Sequence, residues 1–190
     1  MKEKVKQILL ESIATKQAIA ETQVDTIIAI TNTIVESLQK GGKIILFGNG
    51  GSAADSQHIA AEFVGRFQKE RQALAAIALT VNTSILTAIG NDYGYECVFS
   101  KQVEALAQKN DIVVGISTSG NAKNVIKGVA QAREMGITTI ALTGVDGGSL
   151  AKQSDISLTV PSNSTARIQE AHITISHIIC ELTEEKLTGS

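Results

Sequence analysis

Apolar residues recur along this chain with two different periods, and the change from one to the other falls near residue 41. Before it, Val5, Ile8, Leu9 and Ile13, and then Ile27, Ile30, Ile34 and Leu38, return every three or four residues. That spacing predicts two helices within residues 2–40. Ile28 and Val35 widen the second apolar face, so that helix is expected to be buried on more than one side, including against another subunit. Gly41 and Gly42 are suited to end it. Beyond them the apolar residues gather into short runs separated by helical stretches. Residues 43–47 (KIILF), 74–79 (LAAIAL), 112–116 (IVVGI), 137–142 (ITTIAL) and 156–160 (ISLTV) read as five strands. Helices are predicted over 53–66, 84–89, 96–108, 122–135 and 165–186.

Strands that alternate with helices form βαβ units and a parallel sheet, and continuous apolar runs mark strands covered on both faces. The expected fold class is α/β: a five-stranded parallel sheet sandwiched by helices, doubly wound in the flavodoxin-like or Rossmann-like manner, with an N-terminal helical pair. At 190 residues the chain suits one domain, 1–190, with helices over 1–40 and the α/β sandwich over 41–190.

Composition narrows the function. Hydrophobic residues make up 43% and charged residues 19%, enough for a sizeable core and incompatible with global disorder. A net charge of -2 offers no electrostatic footprint for bulk nucleic acid, so no nucleic-acid partner is expected. The N-terminal apolar residues are interrupted by Glu11, Ser12 and Lys16, unlike a signal peptide, and no apolar run is long enough to span a membrane. Cys97 and Cys180 match neither a metal spacing nor a disulfide framework. A cytoplasmic location is expected.

Two strand–turn–helix units share a turn chemistry: KIILF-GNGGS-AADSQH and IVVGI-STSGN-AKNVIK. In each, small residues leave a strand and open a helix, which aims free N–H groups and the positive helix end at one place. Ser117, Thr118 and Ser119 add three hydroxyls. Many short amide and hydroxyl donors suit a phosphate. Each loop alone is explained by helix capping and tight turns; the two together favour a phosphate site. GNGGSA also fits G-x-G-x-x-A, but the next strand ends Leu79, Thr80, Val81, Asn82, without the acid that holds a dinucleotide's ribose. Gly42–Lys43 lacks the remainder of a P-loop, since Ser37 stands where glycine is required. The phosphate is therefore expected to belong to the substrate.

Among titratable groups, His58 and Glu62 lie four apart and share one helix face. Gln169 and His177 lie eight apart on the closing helix, about 80° around its axis, and can converge; His172 and His177, about 140° apart, diverge. The plain alternatives are a surface helix pair for His58–Glu62 and a core histidine for His177. A carboxylate and an imidazole beside a sugar phosphate suit proton transfer next to a carbonyl. A His–Glu–Gln–His set also suits zinc, although glutamine is an uncommon ligand.

The segments GNGGSAADSQHIAAEFVGRF, AIGNDYGYECVFSKQVEAL, ISTSGNAKNVIKG, ALTGVDGGSLA and ARIQEAHITISH together resemble the phosphoheptose isomerase family of sugar isomerase (SIS) domain proteins. The resemblance covers nearly the whole chain; GNGGS or STSG alone would mark only an SIS domain. It implies conversion of sedoheptulose 7-phosphate to D-glycero-D-manno-heptose 7-phosphate on the way to ADP-heptose and surface glycans such as lipopolysaccharide. It also implies a homotetramer with shared active sites, and bound zinc. The family's substrate loop falls on Asn49, Gly50 and Gly51, with Ser52 closing the turn, and its acidic sugar-binding motif on Asn91 and Asp92. Its phosphate loop falls on Ser117, Thr118 and Ser119, its catalytic pair on Glu62 and His177, and its metal set on His58, Glu62, Gln169 and His177. Glu62 and Gln169 are also expected to touch substrate. Two departures stand out: Ala122 replaces a serine that some members use as a further phosphate donor, and Ala166 replaces an aspartate before RIQE.

The expected reaction is proton transfer between C1 and C2 through a cis-enediol, shared between Glu62 and His177. The main rival is a non-catalytic SIS module that binds a sugar phosphate or a replication-initiator protein. Such a module has no need of Glu62 and His177 together.

Overall fold

The structure, a computed structural model, describes residues 1–189. Two antecedent helices, α1 (Lys2–Thr22) and α2 (Val24–Gln39), lead into β1 (Ile44–Gly48), α3 (Gly51–Val64) and β2 (Ala76–Ala78). Next come α4 (Thr83–Tyr93), a 3-10 turn over Tyr95–Cys97, α5 (Ser100–Leu106), β3 (Ile112–Ser117) and α6 (Lys123–Glu134). The chain closes with β4 (Thr138–Gly144), α7 (Gly148–Gln153), β5 (Ile156–Val160) and α8 (Thr165–Thr188).

The five strands form one parallel sheet in the order β2-β1-β3-β4-β5. Because successive side chains of a strand point to opposite faces, the strands feed two cores. Ile44, Leu46, Ile112, Val114, Ile140 and Leu142 join Ile30, Ile34, Phe63, Ile175 and Ile179 from α2, α3 and α8. Ile45, Phe47, Val113 and Ala141 join Val103, Val125, Val129 and Leu150 on the opposite face. Burial on both faces explains the apolar runs without alternation. Within the second core, Phe47 stacks on Phe99 at 4.9 Å between ring centroids.

The expected architecture is present, with three differences in detail. The helix expected over 96–108 is divided: Val98 and Phe99 are both buried, and the buried Gln102 amide donates to the carbonyls of Val98 and Leu79. Two adjacent buried residues turn the chain inward there, where a single amphipathic helix would have pointed one of them outward. Helix α7 has no counterpart in the sequence reading, because six residues that bury only Leu150 carry no visible period. Strand β2 shrinks to three residues at the sheet edge, with Ile77 exposed.

Most of the exposed apolar surface of the N-terminal pair lies on α1, with Val24 and Ile28 of α2 exposed as well. Helix α2 buries Ile27, Ile30, Ile34 and Val35 within the chain. Helix α1 buries only Thr15 and Ile19 and leaves Val5, Leu9, Leu10 and Ile13 more than half exposed. Among the described residues, no helix is long and apolar enough to cross a membrane.

Candidate active site

In an open parallel sheet, ligands bind beyond the carboxyl ends of the strands, at the place where the winding reverses. Here that place lies between β1 and β3, which are neighbours with Gly48 opposite Ile116. The two glycine-rich loops leave these two strands, so the sheet brings together segments some 70 residues apart.

The first loop turns through Gly50, whose φ of 54° favours glycine, and delivers the chain into α3. Gly51 has a second reason to lack a side chain: a Cβ there would lie 2.6 Å from Nε2 of Gln169. The same contact places Gln169 of α8 over the mouth of this loop. Ser52 is buried at the first turn of α3. In the second loop, Ser117 is buried at the end of β3, Thr118 is half-buried and Ser119 is exposed. Gly120, at φ 65°, passes so close to the Gly147 carbonyl that no Cβ fits. Its own carbonyl accepts from the Leu150 amide, which ties the loop to α7.

Asn124 was not singled out in the sequence, yet it joins the two loops. Its buried amide exchanges two hydrogen bonds with that of Asn49, at 2.9 and 2.8 Å, and its oxygen also accepts from the Val125 amide. A reciprocal amide pair fixes both partners' orientation and holds the two loops at a set distance. The available signal was an asparagine in the first turn after STSGN; its partner was invisible because pairing across 75 residues leaves no local pattern.

Helices α3 and α8 pack side by side on one face of the sheet and carry the titratable groups. His58 Nε2 donates to Glu62 Oε1 at 3.0 Å, the i,i+4 pair expected from spacing. The His177 ring lies edge-on to His58, with centroids 5.1 Å apart. One nitrogen or oxygen atom from each of His58, Glu62 and His177 falls within 4.8 Å of the others. Glu62 is about one-quarter exposed and His58 about one-half, so the cluster opens to solvent on one side. Nε2 of His177 is buried without a protein partner, as is Oδ2 of Asp55 one turn before His58. Burial raises the Asp55 carboxyl above its ordinary value, and the nearby His58 opposes that shift. Neither Asp55 nor its orphaned oxygen was anticipated from sequence.

Two nitrogens and a carboxylate oxygen this close, one of them buried and unpaired, suit a small divalent cation. Gln169 and His177 are separated by about 12 Å along the helix axis at 1.5 Å per residue. The Gln169 amide rests on Gly51, while the three titratable residues cluster further along the α3–α8 seam.

His172 sits apart from this cluster, as its position on the helix implied. It is fully buried, and its Nε2 lies 2.9 Å from the carbonyl oxygen of Thr143. A carbonyl only accepts, so Nε2 carries a proton, and burial disfavours a second one, which leaves His172 a neutral core histidine. Asn91 and Asp92 are exposed at the end of α4 and hydrogen-bond to each other at 2.8 Å. Helix α4 buries none of its residues.

Comparison with known proteins agrees with this fold. The family profile of the SIS domain matches residues 9–144. The phosphoheptose isomerase of Aquifex aeolicus is 55% identical over 185 residues, covering 97% of each chain. Among solved structures, the phosphoheptose isomerase GmhA from Neisseria gonorrhoeae superposes with a TM-score of 0.92 at 48% identity, covering 97% of this chain and 98% of that one. A phosphoheptose isomerase from Francisella tularensis gives 0.93 at 37% identity, with 96% and 97% covered.

Proposed function

Because the chain belongs to the SIS domain family and, within it, to the phosphoheptose isomerases, we infer that it interconverts sedoheptulose 7-phosphate and D-glycero-D-manno-heptose 7-phosphate. The observation that carries this reading is the convergence of Glu62 and His177 on the seam of α3 and α8, with α3 opened by the glycine-rich loop that leaves β1 at the winding reversal of the sheet.

The substrate phosphate sits on the amides and hydroxyls of Ser117, Thr118 and Ser119, opposite Asn49, Gly50 and Gly51. Binding at that end supplies remote energy that holds the reacting carbons against α3 and α8. Ketose-to-aldose conversion removes a proton from C1 and leaves a cis-enediol. A proton is then delivered to C2, while the hydroxyl proton passes from O1 to O2. Glu62 and His177 divide these transfers. Each is a weak acid or base, and they lie close enough to serve adjacent carbons. Gln169, at the loop mouth, donates to a sugar hydroxyl.

His58, Glu62 and His177 would hold zinc, and Gln169, the fourth ligand implied by the family resemblance, lies further along the seam against Gly51. The buried, unpaired Nε2 of His177 supports that assignment. When bound, the ion supplies positive charge to stabilise the enediolate. We place Asn91 and Asp92 in the sugar site of a neighbouring subunit, within a homotetramer. The unburied helix α4 and the apolar surface of α1 support shared sites. A cytoplasmic enzyme at the entry to ADP-heptose and surface-glycan synthesis follows from this substrate.

Incubation with sedoheptulose 7-phosphate in deuterated water, followed by NMR, tests the reading. The wild type is expected to form the aldose with deuterium at C2, and Glu62→Gln and His177→Ala to lose turnover by about 10²-fold or more. Loss of activity on chelation, restored by zinc, is expected as well. A folded wild type that binds the sugar phosphate without turnover or exchange would instead identify a binding module.

A further inference from the structure

Beyond the last turn of α3, residues 65–75 form no regular element, yet they are gripped from within. The Glu184 carboxylate of α8 accepts hydrogen bonds from the amides of Phe67, Gln68 and Lys69 and from Nε of Arg71. Both charged side chains are almost wholly buried, 5% exposed for Arg71 and 2% for Glu184. The rest of the Arg71 guanidinium turns back on α3. It donates to the carbonyls of Glu62 at 2.9 Å and Phe63 at 3.0 Å. These belong to the last turn of a helix, whose carbonyls have no donor within the helix. One arginine therefore caps α3 at the residue that carries the candidate carboxylate and fastens that cap to α8.

The other half of the pair lies on the same seam. Glu184 follows His177 by seven residues, two turns along one face of α8. Phe67, whose amide Glu184 holds, places its ring 5.4 Å from the His177 ring. The grip thus reaches Glu62 through its backbone and His177 through an aromatic contact. Buried ion pairs are a weak means of gaining stability but can specify a single arrangement.

We propose that Arg71, Glu184 and Phe67 are positioning residues that set the distance and orientation between Glu62 and His177. This role rests on Glu62 and His177 being the proton-transfer pair. A lysine at position 71 can still pair with Glu184 but has no planar fork to cap two carbonyls at the same time. Displacement of a reacting group by about 1 Å can cost about 10²-fold in rate.

Arg71→Lys and Phe67→Leu enzymes, compared with wild type and Glu62→Gln in excess zinc, separate positioning from mere stability. Steady-state kinetics with sedoheptulose 7-phosphate, circular dichroism and thermal melts are the readouts. The expected result for Arg71→Lys is a folded enzyme with kcat reduced about tenfold or more and KM within about twofold of wild type, because the phosphate loop is untouched. Phe67→Leu keeps the clasp and is expected to lose kcat by a smaller factor, again without a change in KM; it carries the test if Arg71→Lys does not fold. Unchanged kcat in folded variants, or a rise in KM alone, overturns the positioning role while Glu62→Gln remains inactive. Full activity in Glu62→Gln overturns the catalytic assignment and the positioning role with it.

Discussion

Ala122 stands where the loop after β3 passes into α6, a position at which the family resemblance implies that a serine can stand. It is the N-cap of α6, with extended backbone at φ -69° and ψ 112°, and its methyl group caps nothing. A serine hydroxyl there can accept from an amide of the first turn and donate to a bound phosphate. Replacing alanine by serine at an N-cap typically gains about 1 kcal/mol, and one further neutral hydrogen bond to ligand contributes about as much. Ala122→Ser is therefore expected to raise the melting temperature and to lower KM about fivefold with little change in kcat, as measured by thermal melts and steady-state kinetics. The Ala166 departure differs in kind. Ala166 is exposed in the first turn of α8, and nothing in the structure explains the alanine there.

At the scale of elements, α8 carries more than any other helix: Gln169 at the loop mouth, His177 in the cluster, and two buried ionisable residues that make folding pH-dependent. Burial holds the His172 imidazole down at about 4, outweighing its hydrogen bond to Thr143. The unfolded chain then takes up a proton below about 6.5 that the folded chain refuses, so stability falls as pH drops from there towards 4. Burial pushes the Glu184 carboxyl up, but three backbone amides and Arg71 more than offset it and bring it to about 2. Its contribution is present above the ordinary carboxylate range and is lost as pH falls from about 4.5 towards 2. The melting temperature is expected to decline below pH 6.5 and more steeply below pH 4.5. His172→Gln, which keeps a donor for the Thr143 carbonyl, is expected to flatten the upper limb and leave the lower one. A pH series of calorimetric melts on both proteins checks this; identical upper limbs would show that His172 does not control it. Cys180, on the same helix, is pushed up to about 12 by burial, with Glu62 and Glu184 acting in the same direction and Arg71 against it. Its thiol stays protonated and unreactive.

At the scale of the whole molecule, the apolar surface is unevenly placed. Val5, Leu9, Leu10 and Ile13 of α1 are exposed, and the end of the same helix joins a groove of about 390 Å³ lined by Ile19, Val24, Ile27, Ile28, Ile175 and Ile178. A single chain gains nothing by leaving this much apolar surface in water, whereas association would bury it. Light scattering coupled to size exclusion is expected to give about four times the 20.0 kDa protomer mass. Leu9→Glu together with Ile13→Glu is expected to shift the protein to smaller species and to lower activity with it, since Asn91 and Asp92 would no longer meet a neighbour's site. A monomeric wild type with full activity would sink the shared-site arrangement.

The sequence by itself determined the layers, the parallel sheet and the two strand–loop–helix turns after β1 and β3, because apolar period, glycine placement and strand–turn–helix order are local properties. The His58–Glu62 pair was legible for the same reason, as i,i+4 spacing maps directly onto a helix face. Helical spacing paired Gln169 with His177, whereas Asn91 and Asp92 were assigned to the site only through family resemblance, since no period points to them. Tertiary structure alone decided what meets across the chain. It set His177 beside His58, Asn124 against Asn49, and the Arg71–Glu184 clasp behind Glu62. It also decided that α2 would bury most of its apolar face inside the chain while α1 kept most of its own exposed. These contacts join residues 75 to more than 110 positions apart. Their pairing depends on sheet order and on the packing of α3 against α8, and neither leaves a trace in the neighbourhood of any one residue.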